Sequence, residues 1–148
     1  MLACLLYGTL LLNAQEQADL NVQFGFDKTT EVKEIMVPIT PYLEAISFQF
    51  SGKIASGSLV VRILDPNGKK VGAFQLESLT RKDFKDKLDK EDPENNTYRY
   101  SIIGDSSTHA SGSMRKQVSR PLKGLWKVEI TATNVSGMLE SSIQQKNN

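Results

Sequence analysis

Apolar and polar positions alternate with a period of two through most of the chain, the pattern of extended strands with one face turned to a core. It is cleanest at 124–133, GLWKVEITAT, where Trp126, Val128 and Ile130 share one side and Lys127, Glu129 and Thr131 the other. A second organising stretch, 58–71, reads SLVVRILDPNGKKV and aligns Leu59, Val61 and Ile63. Both are predicted to be strands of one β core, with Trp126 buried. Residues 19–26 align Leu20, Val22, Phe24 and Phe26, and 44–54 set Ile46, Phe48 and Phe50 against Ser47, Gln49 and Ser51, giving two more half-buried strands.

Shorter runs at 31–39, 71–76, 98–103, 114–119 and 138–143 are read as further strands. For 71–76 the inward set is either Phe74 with Leu76 or Val71 with Ala73. Pro38 and Pro41 fit an edge strand or a crossover between sheets, because neither can donate to a ladder. Turn-like breaks stand at 27–30, 56–57 and 134–137, and 104–113, GDSSTHASGS, reads as an exposed loop. The DPNG at 65–68 predicts a hairpin turn, since proline presets the second position and Asn and Gly accept positive φ. Residues 80–91 read as a short surface helix or a charged loop, with Phe84 and Leu88 as its apolar pair. The expected architecture is all-β: eight or nine short strands and at most one short helix, in a two-sheet antiparallel β-sandwich with Greek-key or jelly-roll wiring. An up-and-down barrel is the alternative.

A length of 148 residues fits one domain with a core of its own. Eighteen basic and seventeen acidic side chains leave a net charge of +1, so the total charge gives no reason to expect nucleic acid or an anionic membrane as a partner. An electrostatic partner would have to be met by a local patch. Residues 2–12 are almost wholly apolar and lead through Asn13 and Ala14 into the polar QEQADLN. The stretch is read as a secretory signal spanning 1–14, with 15–148 as one exported domain. It is too short to span a bilayer, so the mature chain is expected to have no transmembrane span. The same residues also fit a buried first strand or helix. Cys4, the sole cysteine, follows Leu2 and Ala3 in a triplet similar to the end of a bacterial lipoprotein signal; removal of 1–14 would leave no thiol and no disulfide.

Chemistry-bearing clusters are sparse, and neither a catalytic residue, a metal nor a cofactor is expected. His109, the only histidine, shares its loop with Asp105, Ser106, Ser107 and Ser111; a hydrolytic triad needs groups brought from separate parts of a fold, so a hydrolase using His109 is the outside reading. One His and no mature Cys leave too few soft ligands for zinc. Asp86, Asp89, Glu91, Asp92 and Glu94 could offer oxygens to calcium, but with no D-x-D-x-D-G loop and with Lys and Arg from Arg81 to Lys90 nearly cancelling their charge they read as a solvated face. Arg115, Lys116, Arg120, Lys123 and Lys127 form an acid-free run that could line a surface for an anionic glycan or polymer, or could guard strand edges. Tyr98 and Tyr100, on one side of their strand, could stack on a sugar ring or pack in the core. The candidate ligand-binding set is therefore Tyr98, Tyr100, Arg115, Lys116 and Arg120, and the candidate partners are a protein or a glycan at the cell envelope.

The stretches LVVRILDPNGKKV and PLKGLWKVEITATNVSG together resemble the β-sandwich modules attached to secreted bacterial hydrolases, notably the bacterial pre-peptidase C-terminal domain, and are similar to immunoglobulin-like strings as well. The likeness covers about thirty residues in two pieces. LLLNAQ, at the end of the apolar leader, resembles exported proteins of Bacteroidetes-type bacteria. The resemblance implies a non-catalytic accessory or binding module outside the cytoplasm.

Overall fold

The computed structural model describes residues 9–10, 19–78, 101–102 and 109–147. The alternating stretches form strands β1 (Thr9–Leu10), β2 (Leu20–Ile39), β3 (Leu43–Leu64), β4 (Lys70–Glu77), β5 (Ser101–Ile102), β6 (Ala110–Ser119) and β7 (Gly124–Asn147). They are hydrogen-bonded as one sheet in the order β1-β2-β7-β3-β6-β5, with β4 also on β3. Every pairing is antiparallel except that of the two-residue β1 with Glu34 and Ile35 of β2. Among the described residues there is no helix, and the proposed helix or loop at 80–91 lies outside them.

The breaks expected to be turns at 27–30, 56–57 and 134–137 are not reversals. β2, β3 and β7 run straight through them as strands of 20, 22 and 24 residues, so among the described residues long continuous strands take the place of several of the short ones expected from the sequence. Besides shifts near the strand ends at Leu43/Ala45 and Ile63/Leu64, register shifts cluster at one level: between Phe26 and Glu31 in β2, and between Ile54 and Ser58 in β3 opposite the 133–137 segment of β7. Two glycines make this corner possible. Gly57 sits at φ 81°, and a methyl group there would strike the carbonyl oxygens of Thr133 and Asn134; one on Gly137 would strike the carbonyl of Lys53. Hydroxyl groups bind the corner together. The Lys28 amide donates to Ser136 Oγ at 3.0 Å, the Asn134 amide to Thr30 Oγ1 at 3.0 Å, and Ser56 Oγ to the Asn134 carbonyl at 3.1 Å. Ser-Gly and Asn-rich pairs serve bulges as readily as turns, which is why the sequence pattern misplaces them.

The corner divides the sheet into two halves. The front half holds 20–26 of β2, 137–147 of β7, 43–54 of β3, and β6; the rear half holds 31–39 of β2, 124–132 of β7, 58–64 of β3, and β4. Both bury one face in the same core cluster. Phe48 of the front half stacks on Trp126 of the rear, with ring centroids 6.0 Å apart and planes at 29°. Leu76 of the rear half fills the space left by Gly52 of the front, where a methyl group would lie 2.7 Å from its Cδ1. Lys33 Nζ of the rear half stands 5.6 Å from the centroid of the Phe24 ring, a cation over an aromatic face. Trp126, Val128 and Ile130 are buried as the alternation required, and the indole N–H donates to the Leu122 carbonyl at 2.8 Å, which satisfies the one polar atom of that side chain.

At the end away from the corner, two short links join the halves: 40–42 between β2 and β3, and 120–123 between β6 and β7. The Arg120 amide donates to the Glu44 carbonyl at 2.7 Å. The DPNG turn lies at the same end and forms as expected: Asp65 accepts from the Gly68 amide through its carbonyl, and from the Asn67 and Lys69 amides through Oδ1, each at 2.9 Å. The β4 register settles on Phe74 and Leu76 as the inward pair. The expected loop at 104–113 is corrected in its second half. Residues 110–113 are strand, paired with 51–54 of β3, because Ala110 and Met114 reach the core and the small residues between them follow the same ladder.

Candidate functional site

Each half turns one face to the core and the other to solvent, and the two solvent faces carry different chemistry. On the rear half the outward side chains include Glu34, Arg62, Lys127 and Glu129. Arg62 and Glu129 are register partners, with Nη2 and Oε1 2.6 Å apart, and Lys127 reaches Glu34 at 3.2 Å. These charges neutralise one another.

On the front half the outward positions are filled by Asn21 and Gln23 of β2, Glu140, Ser142 and Gln144 of β7, Ser47, Gln49 and Ser51 of β3, and Ser113, Arg115 and Gln117 of β6. Asn21, Gln23, Gln49, Ser51, Glu140 and Ser142 line a trough of about 430 Å³. Toward the corner the next outward positions, Gly25, Lys53 and Met138, line a second hollow of about 610 Å³ with His109 at its rim. Gly25 and Met138 are register partners one step beyond Gln23 and Glu140, so the two hollows follow each other along the same strands. The Gln23 side-chain amide donates to the sulfur of Met138 at their junction. A methyl group on Gly25 would meet nothing within 4 Å; its absence opens the floor.

The trough offers amides, hydroxyls and one carboxylate. Asn21, Gln49, Ser51, Glu140 and Ser142 make no side-chain hydrogen bond or ion pair among the described residues. An amide presents two donors and two acceptor lone pairs, and a hydroxyl one donor and two. The corner end instead presents apolar surface from Met138 and Ala55 beside Lys53 and His109. A surface of this kind can exchange hydrogen bonds with a polar chain and cover an apolar patch beside it. Directly beneath it, Ser141 is 3% exposed on the inward side opposite Phe50, and its Oγ has no partner among the described residues.

The basic run of the sequence is dispersed by the fold. Arg115 lies on the front solvent face and donates through Nε to Ser47 Oγ at 3.3 Å. Lys116 pairs in register with buried Phe48, and its stem passes 3.5 Å from where a methyl on Gly72 would stand, an apolar stem with its charge held to solvent. Arg120 and Lys123 belong to the 120–123 link at the open end, the end away from the corner, and Lys127 to the rear face, where it is paired. The five residues therefore make no single patch. Tyr98, Tyr100, Cys4 and the acidic cluster from Asp86 to Glu94 lie outside the described residues. His109 is an exposed residue immediately before β6. No group of three or more His, Cys, Asp or Glu among the described residues could hold a metal ion.

Sequence reasoning missed the trough. Its residues are the polar half of ordinary alternation, and only the shared register of three strands, spread along the chain from Asn21 to Ser142, shows that they converge.

No protein-family model matches the chain, and no curated protein matches it. Among solved structures it is similar to a CBM4 structure, with 8% identity over 86% of this chain and 71% of that one and a TM-score of 0.40. It is also similar to CBM28, a carbohydrate-binding module specific for non-crystalline cellulose, with 8% identity over 93% and 80% and a TM-score of 0.43. A third is PliG of Aeromonas hydrophila, a periplasmic inhibitor of g-type lysozyme, with 12% identity over 90% and 93% and a TM-score of 0.37. Likenesses this distant carry no functional argument.

Proposed function

We propose that the protein is a non-catalytic binding module that takes a polyhydroxylated chain, a glycan, along the front solvent face. The observation that carries this reading is the uncommitted hydrogen-bonding capacity of Asn21, Gln49, Ser51, Glu140 and Ser142 in one trough. Polar groups left to water at no cost on an ordinary surface become selective when a partner with matching donors and acceptors displaces that water. In the same proposal the two halves act as the layers of a β-sandwich, with β2, β3 and β7 passing from layer to layer at the corner, as strands of orthogonally packed sheets do at bulges. Arg115 stands beside the trough as a further donor, and Tyr98 and Tyr100 remain the candidates for stacking on a sugar ring. The apolar leader supports export, with cleavage after Ala14; that cut would also remove Thr9 and Leu10 from the β2 edge, and intact mass of the exported protein tests it.

Affinity electrophoresis through a panel of neutral polysaccharides, preceded by a glycan array, tests the ligand class. Retardation is expected for the wild type and is expected to disappear in Gln49→Ala/Ser142→Ala and in Gly25→Leu, which fills open space without touching the core. Each hydrogen bond lost should cost about 1 kcal/mol, roughly five-fold in affinity. Wild-type protein that ignores every polysaccharide, or a Gly25→Leu variant that binds as well as wild type, would sink the proposal. A protein partner on the same face is the second outcome, and it would appear as binding lost in the same variants with no response on the array.

A further inference from the structure

The open end carries a patch of different chemistry, remote from the trough, which runs toward the corner. Three large apolar side chains stand in solvent there: Tyr42 at 85% exposure, Leu122 at 51% and Leu125 at 46%. They sit on connected backbone. Leu125 is the register partner of Pro38, the link from Arg120 is tied to Glu44 two residues beyond Tyr42, and Gly124 lies against the Pro66 ring of the DPNG turn. Pro38, Pro41, Pro66 and Pro121 all fall in these segments, so the backbone that presents the apolar groups is stiff and little entropy is lost in holding them outward.

Charge at this end is one-sided. Lys69, Lys70, Arg120 and Lys123 are exposed and have no ion pair among the described residues. The nearby acids are occupied: Glu44 faces Lys146 at 3.8 Å, and Asp65 is spent on its own turn. The chain total of +1 hides this local excess.

We propose that the open end docks on an anionic lipid surface, with Tyr42, Leu122 and Leu125 entering the headgroup region and Lys69, Lys70, Arg120 and Lys123 lying against the phosphates. Exposed apolar groups beside unpaired cations at one end of the fold match the two layers of a membrane interface, apolar below and anionic above. A soluble polyanion would use the cations and leave the three apolar side chains in water. A second copy of the chain would bring like charge against like charge. The inference is independent of the glycan reading, since none of these residues lines the trough.

Flotation of the full chain with vesicles of phosphatidylglycerol and phosphatidylcholine, compared with phosphatidylcholine alone, tests it. Binding to the anionic vesicles only is expected, falling about five-fold for each charge removed in Lys123→Gln and Arg120→Gln, and more than ten-fold in Tyr42→Ser/Leu122→Ser. These side chains are exposed, so the variants should melt with the wild type; a variant that does not is replaced by Leu125→Ser alone. Equal flotation with both vesicle types, binding unchanged in the serine variants, or retention on a heparin column without flotation would each overturn the proposal.

Discussion

The two solvent faces of the sheet are built from the same strands and behave as opposites. On the rear face Arg62, Glu129, Lys127 and Glu34 use one another, so the face is complete without a partner. On the front face the amides and hydroxyls between Asn21 and Ser142 make few bonds among themselves, and a groove runs between them. The contrast shows that charged side chains on one face are committed to one another while neutral polar ones on the other are not. Exposed ion pairs in register satisfy themselves and contribute little stability, whereas neutral polar groups spaced along adjacent strands stay available.

The sharpest way to break that contrast is to break the corner both faces share. Gly57→Ala or Gly137→Ala forces a side chain into the carbonyls of the facing strand, and a loss of about 3 kcal/mol is expected from strain of this kind. Urea unfolding should show one transition in which both halves are lost together. Hydrogen exchange that leaves the rear ladder protected while the front ladder opens would mean that the halves are separate units after all.

A smaller effect distinguishes the cores beneath the faces. The front half buries the unpartnered Ser141 hydroxyl, while the rear segment from Trp126 to Ala132 buries only apolar side chains. Ser141→Ala should raise stability by about 1 kcal/mol and leave ligand retardation unchanged, because Ser141 is buried and in register with inward-facing Phe50. A destabilised variant would show that the hydroxyl is bonded. Least of all, a double-mutant cycle on Arg62→Ala and Glu129→Ala should give a coupling of about 0.5 kcal/mol that shrinks with added salt. A coupling several times larger and insensitive to salt would make the rear face more than a self-neutralised surface.

Much of this was legible in the alternation. Trp126, Val128 and Ile130 face inward as the pattern demanded, Ile46, Phe48 and Phe50 do the same, and Asp65 and Gly68 close the hairpin their identities called for. The corners were not legible, because glycine serves a reversal and a close backbone approach alike and only the facing Thr133, Asn134 and Lys53 carbonyls tell Gly57 and Gly137 which they are. The basic run misled for a related reason. Neighbouring residues in a strand point to opposite faces, and 120–123 then carries the chain from one half to the other, so proximity in sequence between Arg115 and Lys127 became separation in space.

Trp126 is the only tryptophan in the chain, and it rests against Phe48 where the two halves meet. The protein therefore carries its own fluorophore at the joint. Emission should sit at short wavelength while the joint is dry and shift to the red as soon as the halves part, so one optical signal reports their separation even where circular dichroism still records intact strands.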